Sequence, residues 1–288
     1  MADRFSPAKA IGWSIAFVVL VFLLTGLIAF GLALPVTGSA SAVKDWLEGS
    51  GPGPVLLQSI AMLLSTALFT WLIGVRVLRL TLEDLRYRES HGGPGFGLGL
   101  IAGGLAAGAG LAIATLVGGA EWSRDSGTAG DYAGTVATTL VVLAPAALAE
   151  EVLFRGVPMV ALSRAFGRGT AIVLVAVAFA LAHVANPNVT SLAIGNIALA
   201  GVFLGLAFYA PGGIWTAWGA HLGWNGVLAA LDAPVSGVPF RIPLIDYDPG
   251  SPAWLTGGAF GPEGGLASTL ALTIAVLVAR RWAGKDRS

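Results

Sequence analysis

The chain has 288 residues, of which 56% are hydrophobic and only 11% charged, with no cysteine and a formal net charge of zero. Soluble chains carry about a quarter charged residues, so this composition describes an integral membrane protein. The absence of cysteine excludes disulfides and thiolate metal sites, and the balanced charge argues against a nucleic-acid partner.

Eight apolar segments are long enough, or nearly so, to cross roughly 30 Å of hydrocarbon. They fall near 11–34, 55–75, 96–120, 132–155, 169–185, 190–210, 213–231 and 265–280. The first is too long for the apolar core of a signal peptide and suits a retained span. The expected fold is all-α: a polytopic transmembrane helix bundle of about eight spans, forming one membrane domain over residues 1–288. Gly99/Gly103, Gly104/Gly108 and Gly201/Gly205 are spaced to let helices approach closely in lipid, a packing role. The longest connection is a Pro/Gly-rich stretch from Asp232 to Gly264, to which no role attaches.

Alternating sides from a cytoplasmic N-terminus divides the basic residues unevenly. Arg4, Lys9, Arg76, Arg79, Arg86, Arg88, Arg155, Arg164, Arg168, Arg280, Arg281, Lys285 and Arg287 fall inside, and only Lys44, Arg124 and Arg241 outside. Thirteen against three predicts cytoplasmic N- and C-termini by the positive-inside rule.

Ionisable groups within spans are costly and are functional candidates by default. Here they are Glu150 and Glu151 late in the fourth span, His183 late in the fifth, and His221 in the seventh. His91, the third histidine, falls in a connecting loop. Glu150 lies 14 residues before Arg164 and His183 lies 15 after Arg168. At about 1.5 Å per residue both sit roughly 21–23 Å from a shared turn, level with each other in an antiparallel pair. His221 is shallower by the same measure, and the gap narrows if Gly156–Pro158 breaks the fourth helix.

Neighbouring helical residues point about 100° apart, so Glu150 and Glu151 cannot both address one water. Glu151 and Arg155, spaced i,i+4, can pair on one face, which leaves Glu150 to point into a cavity. His221 and Asn225 share a face by the same spacing, and Phe179 lies one turn before His183, where it shapes the wall. A carboxylate, two imidazoles and an amide fit hydrolysis: Glu150 as base with His183, and His221 with Asn225 on the oxyanion. Glu150, His183 and His221 could instead hold one zinc ion with an open position for water. Interhelical hydrogen-bonding without chemistry, or a proton or ion pathway, would use the same residue types.

"EEVLFR", "FALAH" and "HLGWN" resemble, in order, the EExxxR, FxxxH and HxxxN motifs of the CAAX-protease-and-bacteriocin-processing family of intramembrane proteases. "GGIWTAWGAHLGWN" and "GGAFGPEGG" are similar to stretches common in its bacterial members. The resemblance covers about residues 132–280, with the type II CAAX prenyl endopeptidases as the type. It implies a multi-pass endopeptidase of a bacterial cell membrane, acting on peptide or protein substrates, lipidated ones among them, in contact with membrane lipid. It also implies Glu150, His183, His221 and Asn225 as catalytic residues, with Glu151 and Arg155 completing the first motif. The family is commonly classed as metallopeptidase, so the expected cofactor is either none or one divalent metal, zinc foremost. Two other classes compete: a non-catalytic scaffold or bacteriocin-immunity protein, which would not need all four site residues, and a transporter. The transporter reading expects paired broken helices and an internal repeat, which the chain does not show.

Overall fold

The computed structural model describes residues 5–49 and 51–283. Arg4, Lys285 and Arg287 of the charge count lie outside the described residues. The fold is all-α. Its helices are α1 (Pro7–Thr37), α2 (Ala40–Leu47), α3 (Pro52–Phe69), α4 (Gly92–Gly118), α5 (Ala129–Arg155), α6 (Val157–Phe166), α7 (Arg168–Ala182), α8 (Ser191–Phe208), α9 (Ile214–Ala230), the one-turn α10 (Ala253–Thr256) and α11 (Leu266–Ala283). Two four-residue strands, β1 (Glu121–Arg124) and β2 (Ile245–Asp248), pair antiparallel.

Among the described residues, five helical runs are long and apolar enough to cross a membrane: Pro7–Thr37, Pro52–Val77, Gly92–Gly118, Ala129–Phe166 and Ser191–Phe208. The other three expected spans are also helices, with shorter apolar runs. The 15 residues of α7 rise only about 22 Å. α9 interrupts its apolar sequence with His221 and Asn225, and α11 ends on Arg280 and Arg281. The chain forms two compact units, the first from Met1–Arg88 and Val142–Ile172, the second from Glu89–Val141 and Val173–Ser288.

In the first unit, α1 buries a stripe of Ala10, Ser14, Phe17, Val21, Ala29 and Ala33. That three-to-four-residue spacing marks one helix face. Its other faces expose large apolar side chains such as Leu23 and Leu27, as a lipid-facing helix does. Ser6 caps the helix by accepting from the Lys9 amide, and Gly38 ends it in the left-handed conformation. After α3 the helix widens into a π stretch over Thr70–Val77. The loop beyond is closed reciprocally, Thr81 N donating to Asp84 Oδ2 (2.9 Å) and Asp84 N to Thr81 Oγ1 (3.0 Å). Arg164 of α6 reaches Asp84 at 2.5 Å, tying that loop to the helix end.

In the second unit, α4 and α9 approach backbone to backbone. A side chain at Gly99 or Gly103 would overlap the carbonyls of Thr216 or Ala220, and one at Gly219 or Gly223 those of Phe96 or Leu100. Gly201 meets Ala176 in the same manner, whereas Gly108 faces open space. The β1–β2 ribbon joins the connection after α4 to the long one after α9. Trp122 packs on Tyr247 there, ring centroids 5.3 Å apart, and its indole donates to Leu231 O at 2.7 Å. Asp232 pins the same connection, accepting from the Ile242 amide (2.6 Å) and the Tyr247 amide (3.3 Å).

Candidate active site

The first motif sits where α5 stops. Helix geometry fails at Gly156, whose ψ is −118°, and Pro158 restarts the chain as α6. A side chain at Gly156 would collide with the Tyr87 hydroxyl and the Val152 carbonyl, so the break is closely packed. One turn before it, Arg155 Nη1 lies 3.1 Å from Glu151 Oε1, and both side chains are wholly buried. Glu150, on the adjacent helix direction, is half-buried.

The imidazoles belong to the second unit. His183 is the first residue past α7, where its amide still bonds to Ala180 O. Its Nδ1 lies 2.7 Å from Phe179 O. A carbonyl can only accept, so Nδ1 carries the proton and Nε2 is the nitrogen that exchanges one. Phe179 is buried with its ring centroid 4.6 Å from that of His183 and 6.0 Å from that of His221, edge-on to the latter. On α9, Gly219 and Gly223 face α4. His221, two positions from each, therefore points to the other side, about 200° round the helix. Asn225 follows one turn later on the same face.

These residues meet. Phe179, His183, His221 and Asn225 line one cavity of about 30 Å³, together with Ser236 and Glu263. That volume holds about two water molecules at most, and the polar lining gives them partners. The cavity is built from the second unit alone, while Glu150, Glu151 and Arg155 belong to the first.

Glu263 was not anticipated. Its carboxylate accepts from Trp224 Nε1 at 2.9 Å and from Ser236 Oγ at 3.1 Å, and it takes a short bond from the Ser236 amide. Its backbone carbonyl accepts from Asn196 Nδ2 at 2.7 Å, and the same amide nitrogen reaches Gly265 O at 2.9 Å. Asn196 was also missed. A lone amide within the apolar run "LAIGNIALA" was the available signal, since such groups in spans usually bridge helices. Glu263 stands in "GPEGG", whose glycines read as loop, and nothing local marks its burial.

Two imidazoles and Glu263 are the donors the second unit could offer a metal, but both Glu263 oxygens are already taken up by N–H and O–H donors. Among the described residues of either unit, no three His, Asp or Glu side chains are grouped to hold an ion. These residues do not fit a metal by themselves.

The fold and this cavity define a polytopic helical membrane protein with a small polar chamber in an apolar bundle. Residues 132–227 match the family described as type II CAAX prenyl endopeptidase, Rce1-like. The matched stretch contains Glu150, Glu151, Arg155, Phe179, His183, His221 and Asn225, and ends before Glu263. No curated protein and no solved structure matches the chain. At family level the match supports a protease in a membrane, with peptide or protein as substrate.

Proposed function

We propose that the chain is an intramembrane endopeptidase that hydrolyses peptide bonds of membrane-associated substrates with a Glu- and His-activated water. The observation that carries this reading is the convergence of His183, His221 and Asn225 on one small polar cavity, within the segment that matches the endopeptidase family. Glu150 removes a proton from water as its oxygen bonds to the substrate carbonyl carbon. His221 and Asn225 donate hydrogen bonds to the resulting oxyanion. His183, its Nδ1–H held by Phe179 O, exchanges a proton through Nε2. As the C–N bond breaks, the proton taken from water passes to the leaving nitrogen, so charge balances.

The same reading places both termini in the cytoplasm, on the charge count. The β1–β2 pairing supports it within the second unit, because it joins two connections that alternation assigns to one side. The substrate class offered is a prenylated CAAX peptide, from the family's description.

Glu150→Gln tests the mechanism, since it removes the base and little packing. With a quenched fluorescent farnesylated CAAX peptide, the variant should lose about 10²–10⁴-fold in kcat while melting like the wild type. Equal turnover by the two proteins would end the assignment, and cleavage of the unprenylated peptide at the same rate would remove the prenyl group from the substrate description.

A further inference from the structure

Glu263 lies outside the matched segment and is one of the most heavily bonded side chains of the second unit. It is buried among α8, α9 and the return into α11, and lines the imidazole cavity. Two of its three donors, the Trp224 indole N–H and the Ser236 amide N–H, cannot accept a bond. Donors on both oxygens suit a carboxylate, and the Ser236 hydroxyl is the one partner that could instead accept from the acid form. Burial pushes the Glu263 carboxyl above its usual range, against the hydrogen bonds from Ser236 and Trp224 and, as the smallest influence, the charge of His183 in the same cavity. Trp224, which Glu263 grips, stands between His221 and Asn225 on α9. Glu263 thus shares one cavity with His183, His221 and Asn225 and is bonded to the helix that carries the last two.

We propose that Glu263 is a positioning residue of this site. Its clamped carboxylate fixes the α9 face that carries His221 and Asn225, and balances the charge that His183 acquires when Nε2 takes up a proton. The long connection after α9 thereby has a role: it folds back to bring an acid to the imidazole cavity. This inference rests on the endopeptidase reading.

The test compares Glu263→Gln, Glu263→Asp and Ser236→Ala in the full chain, purified in detergent, with the same farnesylated peptide. Removing the charge in Glu263→Gln should lower kcat about 10–100-fold with KM held within about threefold, the usual scale for a group that supports an imidazole. Glu263→Asp, which keeps the charge, should recover part of the loss. Ser236→Ala removes one donor and keeps the charge, so it should lose less kcat than Glu263→Gln. A second readout needs no substrate. In protein labelled with ¹⁵N at its 3 histidines, Glu263→Gln should move the ring signals of His183 and leave those of the exposed His91 unchanged. If wild type fails to cleave, the endopeptidase reading falls while the nitrogen spectra still decide the role of Glu263. Unmoved His183 signals, or equal losses of kcat and melting temperature in Glu263→Gln and Ser236→Ala, would reduce Glu263 to an anchor for the loop.

Discussion

Glu151 with Arg155 in the first unit, and Glu263 in the second, present two buried acids, one within a helix and one in a connection, and they are held in opposite ways. Glu151 meets its partner one helical turn away, through a contact of 3.1 Å. Glu263 meets Ser236 and Trp224 only because the chain returns across 27 and 39 residues. The local pair packs against the break at Gly156, with Glu150 as a further charge acting on Arg155. The non-local one lines a cavity where water fits. Burial of charge alone therefore does not distinguish an acid paired within one helical turn from one held by distant segments beside a cavity.

The sharpest way to break that comparison is to unpair the closed site. Arg155→Met leaves the Glu151 carboxylate buried opposite a thioether and should destabilise the protein by about 3–5 kcal/mol. Adding Glu151→Leu removes the stranded charge and should restore much of the loss, by the same principle. Thermal melting of the single and double variants in detergent measures both. If the double variant melts no higher than Arg155→Met, the pair is not the closed structural unit described.

The same contrast explains what could be read from the sequence. The i,i+4 spacing of Glu151 and Arg155, or of His221 and Asn225, is fixed by helix geometry, so composition and spacing were enough. The apolar segments likewise declared themselves as helices. Counting spans was harder, because α7 and α9 trade apolar length for packing within the bundle. Hydropathy does not encode which helices a neighbour will cover. Nothing in "GPEGG" has a period, and the link from Glu263 to Trp224 exists only once α8, α9 and α11 are assembled. The β1–β2 ribbon was invisible for the same reason, as two four-residue strands whose partners lie more than a hundred positions apart.

A second experiment addresses the open site. His221→Ala and Asn225→Ala should each lower kcat on the farnesylated peptide about 10²–10³-fold, the scale of losing one oxyanion donor. Neither should melt far below wild type, because the face they occupy opens on a cavity and the glycine face that packs on α4 is untouched. The expected pattern is the inverse of Arg155→Met: turnover lost, fold kept. Losses of stability comparable to that variant would make His221 and Asn225 interhelical ties, as the non-catalytic alternative requires.

The smallest effect belongs to Asp84, in a loop outside the spans, which pairs with Arg164 near the end of the Ala129–Phe166 run, and its sign is the informative part. Burial pushes the Asp84 pKa up, but the Thr81 amide and the Arg164 guanidinium outweigh it and hold the carboxyl below its usual range. A carboxyl lowered by folding contributes stability at neutral pH, and that contribution disappears as pH falls below about 4 toward the folded value. Both side chains remain partly exposed, at 20% for Arg164 and 33% for Asp84, so solvent screens the pair. Asp84→Asn should therefore cost less than about 1 kcal/mol at pH 7. The gap between variant and wild type should close on acidification, because wild-type Asp84 is then protonated as well. Melting curves of both proteins at neutral and acidic pH measure it. A gap that widens as pH falls would reverse the assigned shift, and a neutral-pH loss as large as that of Arg155→Met would erase the distinction between a screened pair and a buried one.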